Sequence, residues 1–181
     1  MSSEQSLTRH IDYRRSALNK TQLSGSLSLS ELPRTAEIVV AGSEAEVVTS
    51  IVVDEDAQRR VKLSGRVQTT LVLPCQRCLQ PTEQPVDVAI GGIVVASDEA
   101  AAAVPREYEP ILAGDETLDL HALVDDELLL ALPMTVQCDR PDCRAVYDRE
   151  PEPPAEEPST SDKPNPFAAL ASLKGDDDKS R

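Results

Sequence analysis

The four cysteines of this chain fall into two close pairs. Cys75 and Cys78 form a C-x2-C pair. Cys138 and Cys143 form a C-x4-C pair, and the sequence contains no other cysteine. Two such pairs, about sixty residues apart, are typical of a tetrahedral zinc site that is closed by distant parts of one domain. A zinc ion with four cysteine ligands has no open position for water, so this spacing predicts a structural Zn²⁺ and not a catalytic one.

Two other interpretations of the cysteines stay open at the level of sequence. A redox-active C-x-x-C normally lies at a helix N-terminus beside a βαβ pattern. Cys75 and Cys78 lie instead in residues 74–85, a segment between two predicted strands that begins and ends with proline. Four unrelated free thiols are the second alternative, although the pairing makes it less attractive.

Three arginines accompany the cysteines. Arg77 lies inside the first pair, Arg140 lies inside the second pair, and Arg144 follows directly after it. Four thiolates around Zn²⁺ leave a net charge of about −2, which nearby guanidinium groups would offset. The same three arginines form the best local patch for RNA, with ordinary surface charge as the alternative.

Charge and aromatic content limit the possible contacts with nucleic acid. The formal net charge is −14. A broad electrostatic RNA-binding surface is therefore not expected, because such binding depends on Lys and Arg that neutralise phosphates. Aromatic residues make up 2% of the chain, which leaves no platform on which bases could stack.

No targeting or membrane segment is recognisable in the sequence. The first residues lack the apolar stretch of a signal peptide. No apolar run approaches the roughly 20 residues that a membrane-spanning helix needs. We therefore expect a cytoplasmic protein without a membrane partner.

Alternating apolar and polar residues predict a mainly β domain. The predicted strands cover residues 21–29, 45–53, 59–73 and 86–95. The first cysteine pair lies between the last two of them, at the tip of a predicted hairpin that resembles a zinc knuckle. Gly91 and Gly92 in the last strand suggest a bulge or a bend.

Residues 118–132 carry the strongest helix pattern of the chain. Thr117 is the expected N-cap, and Pro133 ends the helix. Residues 125–127 (DDE) are expected on a solvated face, because consecutive helical side chains point about 100° apart and do not converge on one substrate atom. His121 could pair with the carboxylate four residues later, but a catalytic dyad is not expected.

The C-terminal part predicts a tether that carries a small helix. Residues 149–164 are rich in Pro, Glu, Ser and Thr and are expected to form a disordered linker. Residues 165–175 have the capping residues of a short helix, on which Phe167, Leu170 and Lys174 share a face. Such a helix either folds back onto its own domain or binds in the groove of a partner.

Several segments together resemble a known bacterial and plastid family. They are residues 73–78 (LPCQRC), 107–110 (EYEP), 118–133 (LDLHALVDDELLLALP) and 163–174 (KPNPFAALASLK). In this order they resemble the YceD family of large ribosomal RNA subunit accumulation proteins. The resemblance implies a role in 23S rRNA accumulation and in biogenesis of the large ribosomal subunit. Many relatives have histidine at the position of Cys138, an exchange that suits a zinc ligand better than a redox group.

The sequence thus predicts an α+β, mainly β protein that acts by binding and is not an enzyme. The predicted regions are a basic N-terminal segment (1–20), a YceD-like domain (21–148), the linker (149–164), and a short helix with an acidic end (165–181). The resemblance implies, as partners, the 23S rRNA precursor, a basic ribosomal protein, or both; no small-molecule substrate is expected. Phosphate contacts are expected from the three arginines, and partner contacts from Phe167, Leu170 and Lys174. A metal-dependent RNA-processing enzyme is the alternative.

Overall fold

The computed structural model of the chain describes residues 6–114 and 116–145. The predicted linker and the predicted C-terminal helix, with Phe167, Leu170 and Lys174, lie outside the described residues. Arg144 is described only as part of the backbone of a helix. None of the described helices is long and apolar enough to span a membrane.

A five-stranded sheet forms the framework, with the strand order β2-β3-β4-β5-β6. Its strands are β2 (Thr21–Ser28), β3 (Glu46–Glu55), β4 (Val61–Pro74), β5 (Pro81–Val95) and β6 (Pro110–Leu112). The pairs from β2 to β5 are antiparallel, whereas β6 pairs with β5 in parallel. Two further short strands, β1 (His10–Asp12) and β7 (Thr117–Asp119), pair with each other.

Short helices connect and cover the strands. They are α1 (Tyr13–Leu18), a 3-10 turn (Leu29–Glu31), α2 (Pro33–Ile38), α3 (Asp98–Ala102), α4 (Leu120–Ala131) and α5 (Pro141–Ala145). The longest of them, α4, contributes Leu120, Val124 and Leu128 to the core. The prediction of a mainly β, α+β fold with one main helix is confirmed.

Buried side chains alternate with more exposed ones along the strands, and the buried ones form the main core. Every second residue of β3 from Val47 to Val53 is buried, and the residues that alternate with these are exposed or partly exposed. Leu63, Val67 and Leu71 of β4 follow the same rule on the neighbouring strand. One face of the sheet therefore packs against the helices, as the period of two requires.

Gly91 and Gly92 do not form the bulge that the sequence suggested. The pairing of β4 with β5 is continuous through both glycines. A Cβ atom at Gly92 would lie 2.3 Å from the backbone oxygen of Glu109 and 2.9 Å from Cγ1 of Ile111. Glycine is needed here because the chain that enters β6 lies directly against this residue, which is the other use of glycine inside a strand.

The N-terminal segment is part of the packed body. Leu7, Ile11, Tyr13 and Ala17 are all buried in the main core. β1 also pairs with β7, and the backbone N–H of Leu120 donates to the carbonyl of Arg9 at 2.8 Å. The core therefore begins before the predicted boundary at residue 21, because this segment buries an apolar side and exposes its charges.

The acidic segment of α4 is not uniformly solvated. Asp126 is exposed, but Asp125 is only 2% exposed. Asp125 accepts hydrogen bonds from the backbone N–H groups of Arg34 and Thr35 and from the Thr35 hydroxyl, at 3.0, 2.9 and 2.6 Å. Asp125 thus accepts from N–H groups in the first turn of α2, which have no carbonyl partner within that helix.

Two other expectations about α4 are corrected. Its N-cap is Asp119, whose side chain accepts from the N–H of Ala122 at 3.0 Å, and Thr117 belongs to β7. His121 is buried, and its Nε2 lies 3.0 Å from the carbonyl oxygen of Leu7. His121 therefore links α4 to the N-terminal segment instead of pairing with Asp125.

We expect Asp125→Ala to lower the free energy of unfolding by about 2–4 kcal/mol, because three donors, two of them buried, lose their acceptor. Chemical denaturation measures the change. The matched control is Asp126→Ala on the same helix, which removes only an exposed ion pair with Arg34 and should cost less than about 1 kcal/mol. Equal losses for the two variants would contradict this role of Asp125.

Candidate metal centre

The first cysteine pair lies at the turn of the longest hairpin. The β4–β5 pairing ends at Pro74 opposite Pro81, and Cys75 and Cys78 follow in the connecting turn. The N–H of Cys75 donates to the carbonyl of Gln80 at 2.9 Å, and that of Leu79 donates to the carbonyl of Cys75 at 2.8 Å. These bonds close a tight turn that directs both cysteines to one side.

Leu79 adopts a left-handed backbone conformation, with φ of 60°. This conformation costs a non-glycine residue roughly 1–2 kcal/mol. The side chain of Leu79 is exposed, so the strain does not serve hydrophobic packing. It is instead a consequence of the sharp turn that brings Cys75 and Cys78 together.

The second cysteine pair reaches the hairpin by backbone contacts. After α4 the chain runs back along the hairpin tip, where the N–H of Gln76 donates to the carbonyl of Val136 at 2.8 Å. The Arg77 guanidinium donates to the carbonyl of Cys138 at 2.8 Å. Cys143 follows in α5, which starts with a proline. Main-chain groups therefore fix the approach of two segments that are distant in sequence.

The four cysteine sulfur atoms lie close together in one cluster. Sγ of Cys75 and Sγ of Cys143 are 3.8 Å apart, and those of Cys78 and Cys138 are 3.7 Å apart. All four lie within 4.8 Å of one another. These separations are much longer than the roughly 2.05 Å of a disulfide bond.

The sulfur separations fit a tetrahedral thiolate site. A Zn–S bond of about 2.3 Å places neighbouring sulfurs of a regular tetrahedron about 3.8 Å apart. The Cys75–Cys143 and Cys78–Cys138 distances equal this edge within about 0.1 Å. Cys75, Cys138 and Cys143 are buried, and Cys78 is partly buried. The four side chains could therefore hold one metal ion, and they would surround it completely.

The surroundings of the thiols favour thiolate at some positions and oppose it at others. Backbone N–H groups of Cys78 and Cys138 lower the pKa of Cys75 to about 5. The Arg140 side chain lowers the pKa of Cys138. Burial raises the pKa of Cys143 to about 12 in the metal-free cluster. Because adjacent thiolates repel each other, the metal-free cluster divides its protons unequally.

Two of the three predicted arginines contact this centre. Nε of Arg140 lies 3.3 Å from the sulfur of Cys138, and its NH2 group lies 3.4 Å from the sulfur of Cys78. Arg77 contributes the bond to the carbonyl of Cys138. The two guanidinium groups therefore place positive charge beside the sulfurs. The side chain of Arg144 is outside the described part of the chain.

The cysteines form a buried cluster of their own. Cys75, Cys138 and Cys143 pack with Cys78 and are separate from the main hydrophobic core. The contacts that close this cluster, from Gln76 to Val136 and from Arg77 to Cys138, involve backbone groups. Sequence reasoning missed these contacts, since no residue type signals them.

Fold and site together define a class: a mainly β, α+β domain with a potential four-cysteine metal centre at the tip of its longest hairpin. Residues 63–174 match the family model described as "Large ribosomal RNA subunit accumulation protein YceD". The chain belongs to the YceD family, as its motifs predicted.

Individual relatives agree with this assignment. The chain is 35% identical over 171 residues to the large ribosomal RNA subunit accumulation protein YceD of Haemophilus influenzae, a match that covers 91% of this chain and 94% of the relative. Uncharacterized proteins of Mycobacterium bovis and Mycobacterium tuberculosis are 34% identical over 104 residues, which cover 58% of this chain and 50% of each relative. No solved structure matches the chain.

The pKa values of the thiols lead to a test by proton release. Added Zn²⁺ should release at least one proton but fewer than four at pH 7, because Cys143 is protonated there and Cys75 is already thiolate. The apparent affinity should continue to rise with pH above about 5, the pKa of Cys75, because Cys143 must still lose its proton there. Calorimetry in buffers of different ionisation enthalpy measures the number of protons released per Zn²⁺ bound. The release of four protons at pH 7 would contradict the prediction.

Proposed function

We propose that this protein is a ribosome biogenesis factor that supports accumulation of 23S rRNA and assembly of the large subunit by binding. The observation that carries this proposal is the match over 91% of the chain to a relative named for large ribosomal RNA subunit accumulation. The proposal places the protein in the cytoplasm with the large-subunit precursor, without a small-molecule substrate.

We assign a structural Zn²⁺ to the four cysteines. Sulfur separations near the edge of a zinc–thiolate tetrahedron support this assignment. The separation of the cysteine cluster from the main core supports it too, because the buried cysteine side chains pack against each other and not against the apolar core. Bound there, zinc would supply cross-linking and charge compensation, since four protein ligands leave no site for a reacting water.

Two surfaces are proposed for binding. Arg77, Arg140 and Arg144 form the proposed RNA contact beside the metal centre. Each guanidinium carries five N–H donors, so the contacts of Arg77 and Arg140 with the cysteine cluster leave donors for phosphate. Phe167, Leu170 and Lys174 form the proposed partner-binding face of the C-terminal segment. The net charge of −14 favours a basic ribosomal protein as partner.

Protein purified without chelator is expected to contain one zinc per chain. Cys75→Ser should abolish stoichiometric zinc and lower the melting temperature by at least about 10 °C, because the metal no longer cross-links the hairpin tip. Elemental analysis and thermal denaturation measure both effects. Gln76→Ala, inside the same turn, should retain zinc. Reduced wild-type protein without metal would overturn the zinc assignment.

The arginine patch leads to a test with precursor particles. Replacing Arg77, Arg140 and Arg144 by alanine should weaken co-sedimentation with large-subunit precursors. In direct binding to precursor rRNA, log K decreases as log salt increases. The magnitude of this negative slope should be smaller by about 2 to 3 in the variant, since each lost phosphate contact contributes about 0.7–0.9.

The matched control removes the same charge elsewhere. Arg59, Arg66 and Arg106 are exposed and lie outside both cysteine pairs. Their replacement by alanine should leave the salt slope unchanged. Zinc content is measured in every variant, and Arg140→Lys should retain both zinc and binding. Unchanged co-sedimentation of the first variant would exclude the patch, and cleavage of precursor rRNA by the purified protein alone would favour an enzyme.

A further inference from the structure

A groove lies at the end of the β4–β5 hairpin that is opposite the cysteines. Its volume is about 450 Å³. All three residues of β6 and all three of β7 line it, and the exposed side of α4 closes it. Two strands thus border the groove, and each pairs with another strand on one side only.

The outer edge of β6 carries hydrogen-bonding groups that no other described strand pairs with. Toward β5, Glu109 accepts from the N–H of Ile93, and Ala113 donates to the carbonyl of Val95, both at 2.8 Å. Alternate residues of a parallel strand face the same neighbour, so the N–H and C=O of Leu112 point away from β5. Within residues 6–114 and 116–145 no group bonds to the N–H of Leu112.

The opposite edge of the sheet is different. There Ser6 bridges to Ser26 of β2, and the N–H of Leu7 donates to the carbonyl of Ser26 at 3.3 Å. The chain's own N-terminal segment therefore covers part of β2. In the described part of the chain no strand covers β6. An uncovered strand edge is a template for pairing with another chain.

The groove combines apolar and acidic side chains. Leu112 is 58% exposed and Leu130 is 76% exposed, which is unusual for large apolar residues that line one groove. Four carboxylates line it as well: Glu109, Asp119, Asp126 and Glu127. The lining therefore suits a partner with both apolar and cationic side chains.

Two of these carboxylates have no cationic partner within residues 6–114 and 116–145. Asp119 is paired with Arg9, and Asp126 is paired with Arg34. Among the described side chains no Lys or Arg is within salt-bridge distance of Glu109 or Glu127. Burial and the charge of Glu109 both raise the pKa of Glu127, as expected for two neighbouring acids without a counter-charge.

We propose that this groove binds an extended, basic segment of a partner protein, which pairs with the outer edge of β6 and places Lys or Arg beside Glu109 and Glu127. Pairing through backbone groups supplies the affinity, and the leucines and carboxylates select alternating apolar and cationic side chains. RNA does not fit, because phosphate would face the carboxylates. The inference deepens the proposed function, on which it rests, by naming the class of protein partner and its surface.

The test uses the full chain and a fluorescein-labelled peptide, Lys-Val-Arg-Val-Lys-Val-Arg. Fluorescence anisotropy should show saturable binding that weakens as salt is added. The double variant Glu109→Gln, Glu127→Gln should bind about tenfold more weakly, as expected for the loss of two ion pairs. Glu37→Gln, Glu83→Gln is the matched control, since both residues are exposed and outside the groove, and it should bind like wild type.

Two further measurements separate edge pairing from general charge attraction. Bound peptide should slow amide exchange at Leu112 without changing exchange along β2, as measured by NMR. A peptide with proline in place of its central valine lacks one N–H and should bind at least about tenfold more weakly. Equal binding by the two double variants, or no protection of Leu112, would overturn the proposal. Direct binding of a labelled single-stranded oligoribonucleotide to wild type, lost in the Glu109→Gln, Glu127→Gln variant, would also overturn it.

The same variants separate this inference from the proposed function. If wild type and Glu109→Gln, Glu127→Gln co-sediment equally with large-subunit precursors, the groove is not the partner surface, and the proposed function stands. If wild type fails to co-sediment while the peptide still requires both glutamates, the ribosomal function fails and the groove stands as a peptide site.

Discussion

The antiparallel pairing of β4 with β5 is the constraint on which the rest of the structure depends. It runs without interruption from Lys62 opposite Ile93 to Pro74 opposite Pro81. One end of this ladder holds the turn of Cys75 and Cys78, and the other end carries β6. A single register therefore positions both the cysteine cluster and the acidic groove, roughly 40 Å apart along the strand at about 3.3 Å per residue.

The two ends of the hairpin are stabilised differently. The main core holds the sheet, the N-terminal segment and α4 together by apolar burial. At the cysteine end the sequence supplies thiols, main-chain hydrogen bonds and the Arg140 guanidinium in place of a core. The chain belongs to the YceD family, and the four cysteines at this end lie close enough together to bind one metal ion.

Local patterns predicted much of the fold, and they failed where a residue acts on a distant neighbour. Strands β2 to β5, the cysteine turn and the main helix follow from alternation, prolines and helical spacing, whereas β6 was not predicted. Asp125 was expected on a solvated face of the helix, yet it accepts hydrogen bonds from α2, about ninety residues earlier in the chain. Gly91 and Gly92 were interpreted as a bulge or a bend, although the close approach of the chain that enters β6 is what excludes a side chain at Gly92.

By itself the sequence determined the spacing of the cysteines, the period of the strands and the motifs of the family, because these depend on residue type and local separation. Only the tertiary structure decided that the four sulfurs meet, that Arg140 contacts two of them and that Glu109 lies near Glu127. Such proximities depend on how the β4–β5 register and the return of the chain after α4 bring remote segments together. A burial pattern or a charge pattern read along the chain contains no information about those distances.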